Sequence, residues 1–259
     1  MNSSLFWQLV THEMKPKGEW RKLKRKKFPL PVKIAYIAII YVAIGAWLTY
    51  MSFQKDFQLQ YLWFFTLGLP YMVFFFGYGL VKKEWENDTQ GWWLTLPYSR
   101  WHLITAKYLG AWLQALMIFL IIYVSGVIFS LYLFLVNRQL TFMDVVNFWD
   151  TGLIWMLLML GTSPFVMALG VFNGTVQYTT LRPLAIVFLV LFMGLGSVTY
   201  WGYGMSFSGS LFVGSFSDET LINAMHFSWP IVVTMVVSWI CAYLVLRLAS
   251  YLLDKKLSL

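Results

Sequence analysis

Residues 81–107 read VKKEWENDTQGWWLTLPYSRWHLITAK, a polar connection between two long apolar segments. If Glu84 to Leu96 is helical, two faces separate. Glu84, Asp88, Gly91 and Thr95 recur at steps of four and three residues, which stacks them on one side. Trp85, Thr89, Trp92 and Leu96 repeat that spacing one residue later and form an aromatic side. Pro97 stops the helix, because its nitrogen cannot donate and its ring crowds the preceding turn. Such a helix is expected to lie flat at a membrane surface, since tryptophan prefers the headgroup zone. The carboxylate side is then left facing water, free to meet a partner.

Outward from this stretch, the composition sets the class. The chain has 259 residues, 59% hydrophobic and only 12% charged, whereas soluble domains carry about 25% charged residues. This balance points to a polytopic membrane protein. A single cysteine, Cys241, lies inside an apolar run, so neither an internal disulfide nor a cysteine-rich metal site is expected. The N-terminus lacks the short apolar core and small-residue cleavage site of a signal peptide.

Residues 1–32 read as a basic cytoplasmic segment. Leu5, Phe6, Leu9 and Val10 suit the apolar side of an N-terminal interfacial helix. Lys15, Lys17, Arg21, Lys22, Lys24, Arg25, Lys26 and Lys27 follow, a cluster that fixes orientation and suits anionic lipid better than nucleic acid. Residues 33–259 read as an all-α domain of six transmembrane helices, at about 33–53, 61–81, 108–135, 151–172, 183–203 and 229–251. With the N-terminus in the cytoplasm, only Lys55 and Arg138 of the 19 Lys and Arg residues fall outside. That asymmetry predicts a multi-pass protein of the cytoplasmic membrane with both termini inside. The outer loop 204–228 is rich in Gly and Ser yet carries Phe207, Leu211, Phe212, Val213 and Phe216, so it is either a folded cap or a re-entrant segment.

Chemistry finds little foothold. His12-Glu13 begins like HExxH, but the fifth position is Pro16. His102 and His226 fall on opposite sides of the membrane in this topology and cannot share a metal. Ser208-Gly209 lacks the preceding glycine of an intramembrane serine protease motif. No GxxxxGK[ST] occurs, so this sequence cannot cradle ATP in a P-loop. The spans hold almost no charge, apart from Arg247 near one end, which counts against an ion-coupled carrier. Glycine and proline positions, namely Gly161, Pro164, Gly170, Gly174, Gly194 and Gly196, read as kinks or close helix packing.

The 81–107 stretch resembles the membrane-spanning subunits of type-2 ABC transporters, the exporter-like permeases. Many of these carry, after the second span, a Glu followed by Gly-Thr, a Leu-Leu pair, Pro-x-Ser-Arg and then a Lys. Here the matching residues are Glu86, Thr89, Trp93-Leu94, Pro97-Tyr98-Ser99-Arg100 and Lys107. Asp88 stands where the family often has Gly, and Trp93 replaces the first Leu.

The resemblance implies that the 82–107 loop holds a cytoplasmic coupling helix that docks on a separate ATPase subunit. Coupling would fall to Glu84, Glu86, Asp88, Thr89, Gly91, Thr95, Pro97, Ser99 and Arg100, with Trp85, Trp92, Trp93 and Trp101 as membrane-interface anchors. It further implies two permeases, identical or homologous, above two ATPase subunits that bind ATP and Mg. This chain itself would bind no cofactor or metal and catalyse no reaction. Other readings are a plain anchoring helix for the stretch and, for the protein, an ATPase-independent channel or secondary transporter, or a membrane enzyme.

Overall fold

The computed structural model of the chain describes residues 3–14, 29–53, 59–137, 139–194 and 229–255. Among these residues the fold is helical throughout, without a β-strand. The helices are α1 (Ser3–Met14), α2 (Leu30–Ser52), α3 (Leu69–Glu86), α4 (Gln90–Thr95), α5 (Arg100–Val136), α6 (Phe142–Val176), α7 (Arg182–Gly194) and α8 (Trp229–Lys255). A 3-10 helix, Leu59–Gly68, leads into α3.

Five of these helices are long and apolar enough to cross a membrane, over Leu30–Ser52, Phe65–Glu86, Arg100–Val136, Phe142–Val176 and Val232–Lys255. The fifth expected span, 183–203, is described only as α7, and residues 195–203 lie outside the described residues. The outer loop 204–228 and the basic cluster 15–27 lie outside them as well. Two helices overrun their expected bounds. At 37 residues, α5 is about 55 Å long against a hydrocarbon core of about 30 Å. α6 starts at Phe142 rather than near residue 151, because Thr141 and Asp144 form a reciprocal capping box. Hydropathy alone hides that start, since Asp144, Asn147 and Asp150 interrupt the apolar run.

α6 is the hub and packs on α3, α5 and α8. Its contact with α3 is backbone against backbone. A Cβ at Gly77 would land on the Met167 carbonyl, and one at Gly170 on the Phe74 carbonyl. The small-residue reading of Gly170 therefore holds, and Gly77 is its counterpart on α3. Pro164 sits inside α6 without breaking it. The carbonyl it leaves without an amide partner, on Leu160, accepts from the Ser163 hydroxyl at 2.7 Å. Trp112 Nε1 donates to that same hydroxyl oxygen at 3.0 Å, and Tyr108 Oη donates to the Pro164 carbonyl at 2.9 Å. These bonds tie α5 to α6 at the proline turn.

Candidate functional site

The connection after α3 does not form one helix from Glu84 to Leu96. α3 ends at Glu86, the chain turns through Asn87 and Asp88, and α4 begins at Gln90. Asp88 takes the left-handed conformation, φ 54°, which short polar side chains tolerate better than most. The amides of Asn87, Asp88 and Thr89 close back on the carbonyls of Lys83, Trp85 and Glu84. Asn-Asp-Thr is turn chemistry, and it overrides the helical spacing on which the two-faced helix was read.

The turn disperses the expected polar face. Glu84 goes inward. Its Oε1 accepts from Lys107 Nζ at 2.6 Å and its Oε2 from the Thr89 hydroxyl at 2.5 Å. Lys107 Nζ also donates to Glu13 Oε1 at 3.1 Å and stands 5.2 Å from the centre of the Trp93 ring. Side-chain exposure is 5% for Lys107, 9% for Glu84 and 15% for Glu13, so this cluster is enclosed by protein. Glu84 is thus not a solvent-facing docking group. Asp88, Gly91, Thr95, Pro97 and Ser99 are exposed, and so is Glu86, which pairs with Lys82 at 3.4 Å. Arg100 is half-buried and pairs with Asp254 of α8 at 3.7 Å. The accessible surface is a rim across the turn, α4 and its exit.

The aromatic side is redistributed too. Trp93 is buried beside Lys107, so it cannot act as a lipid-facing anchor here. Trp85 stacks on Tyr178 with ring centroids 4.3 Å apart. Burial, with Tyr78 and Glu86 adding to it, raises the Tyr178 phenol above its ordinary range. Trp101 packs against α8, edge-on to Tyr243. Trp92 lies in α4 between Gly91 and Trp93.

α1 supplies what sequence reasoning missed. It packs along the first half of α5 with Val10 fully buried. Gly110 permits the approach, since a Cβ there would meet Glu13 Cβ at 3.0 Å and the Val10 carbonyl at 3.3 Å. Gln114, a polar exception within an apolar span, donates from Nε2 to the Met14 carbonyl at 3.0 Å and so satisfies the end of α1. Glu13 and Lys107 are 94 positions apart; no local pattern announces that pair.

The sequence matches the family described as ABC-2 family transporter protein over residues 17–194, about two thirds of the chain. That match runs from just beyond α1 to the last residue of α7 and includes the whole 82–107 connection. Comparison with curated proteins found no match, and comparison with solved structures found none.

Proposed function

We propose, since the chain belongs to the ABC-2 transporter family, that it is the membrane-spanning permease subunit of an ATP-driven exporter and takes its motion from a separate ATPase subunit through the 82–107 connection. Because this sequence holds no P-loop, ATP and Mg belong on the partner. The complex would pair two permeases, identical or homologous, with two ATPases. The full chain would cross the cytoplasmic membrane six times, with both termini inside.

The observation that carries this reading is the Lys107 junction. One buried ammonium is bonded to α1 through Glu13 and to the end of α3 through Glu84, and it is itself part of α5. Separating a buried pair costs about 3–5 kcal/mol, because each charge would be stranded away from water. A push on the exposed rim therefore passes directly into the long α5 instead of being lost in a flexible loop. The coupling surface in this reading is Glu86, Asp88, Thr89, Gly91, Thr95, Pro97, Ser99 and Arg100, with Glu84 as its inner support. The aromatic-rich spans, nearly free of charge, suit an amphipathic or apolar cargo.

Gly91→Lys tests the docking surface cleanly. A Cβ at Gly91 meets nothing within 4 Å, so the chain itself accommodates a side chain there. Intact expression with loss of ATPase co-purification and of cargo-stimulated ATP hydrolysis is the expected result. Undiminished co-purification would remove α4 from the interface. ATP-independent, cargo-specific transport by this chain alone in liposomes would overturn the permease reading altogether.

A further inference from the structure

We propose a binding site on the seam between α5 and α8 for the phosphate of an anionic phospholipid headgroup, with Arg247 as its cation. It does not depend on the ATPase reading. Arg247 is exposed, and along the same helix Tyr243, Leu244, Leu248 and Tyr251 are exposed with it. In the single chain that surface is open to lipid, and a full charge is set into an otherwise apolar or aromatic wall. The distance from Arg247 to Asp254 along the axis is about 10 Å, within the reach of a headgroup layer. Among the described residues no carboxylate pairs with Arg247. Asp254 is engaged by Arg100 Nε from the first turn of α5.

The guanidinium is held in place. Its Cζ lies 4.2 Å from the centre of the Trp101 ring and 5.4 Å from that of Tyr243, and its Nε donates to Tyr243 Oη at 3.0 Å. The two rings meet edge-on at 5.3 Å. A snorkelling arginine reaches water as a loose side chain, whereas this one is fixed from a second helix. Of its five N–H groups one is used by Tyr243, and the terminal nitrogens keep the fork that suits two oxygens of a phosphate. At the headgroup layer, lipid phosphate is the anion that such a surface meets. A lipid of net negative charge neutralises Arg247, while a zwitterionic one brings its own cation.

The test uses the full chain in bilayer nanodiscs of phosphatidylcholine doped with phosphatidylglycerol, with retained lipids counted by native mass spectrometry. Wild type should retain one phosphatidylglycerol more firmly than Arg247→Gln, by about fivefold in bound-to-free ratio. Arg247→Lys, which keeps the charge but loses the planar fork, should fall between them, and Trp101→Leu should lie close to Arg247→Gln. The basic N-terminal segment adds the same background to every variant. Equal retention by wild type, Arg247→Gln and Trp101→Leu would overturn the site. So would equal retention of phosphatidylcholine at this position, or displacement of the lipid by inorganic phosphate, which would make it a soluble-anion site.

Discussion

The α3–α6 seam and the α2–α5 seam each join helices long and apolar enough to cross a membrane, yet they are built in opposite ways. α3 and α6 meet through Gly77 and Gly170, with backbone lying on backbone, and Phe74 is buried between them. α2 leans on α5 through side-chain tips. Tyr41 Oη meets Ser125 Oγ at 3.2 Å, Thr49 Oγ1 meets Tyr132 Oη at 3.1 Å, and Tyr41 stacks on Phe129. Only Leu48 and Ser52 of α2 are buried. Lipid tails are as apolar as leucine, so burial by itself does not choose between these arrangements; closeness of fit does. The first seam is the tighter one, closed backbone to backbone; the second rests on side chains, among them Asn137, whose Nδ2 donates to the Ser52 carbonyl at 2.6 Å.

Gly170→Leu should break the tighter seam outright. Its side chain would have to displace the α3 backbone, at a cost of about 4 kcal/mol or more, read as lost folded yield in detergent. A single methyl separates the seams as well: Gly45→Ala places its Cβ 3.7 Å from Phe129 and should leave the yield unchanged, whereas Gly170→Ala already sets its Cβ on the Phe74 carbonyl and should lower it. A tolerated Gly170→Leu would remove the contrast.

Lys107→Met comes next. It leaves Glu84 and Glu13 enclosed without this cation and should cost about 3 kcal/mol in chemical unfolding. Adding Glu84→Gln and Glu13→Gln should restore most of that loss, since the stranded charge goes with them. If the single variant is as stable as wild type, the junction is not what binds α1 and the connection to α5.

The smallest effect belongs to the loose seam. Thr49→Val removes one interhelical hydroxyl contact and should cost about 0.6 kcal/mol. A loss several times larger would mean that α2 is fixed as firmly as α3.

The same contrast explains what could be read in advance. α2 follows its expected span almost residue for residue, because a lipid-facing helix is specified by length and hydropathy alone. The connection after α3 was legible as a distinctive polar stretch through its order of residues, Glu86 to Lys107, but not as a shape. Helical spacing put Glu84 and Asp88 on one face, and the Asn87-Asp88 turn separates them. The tryptophans were legible as a cluster, whereas Trp93 turned inward to Lys107 and Trp101 to Arg247.

The sequence by itself determined a helical membrane chain, where its charges lie and which connection is distinctive. These properties are sums over local composition and do not require knowing which helix lies beside which. Only the tertiary structure decided that Glu13, Glu84 and Lys107 meet, that Gly77 faces the Met167 carbonyl, and that Arg247 lies on Trp101. Each of those contacts joins residues far apart in the chain. A buried charge finds its partner through packing, and packing is not written in the spacing of any one helix.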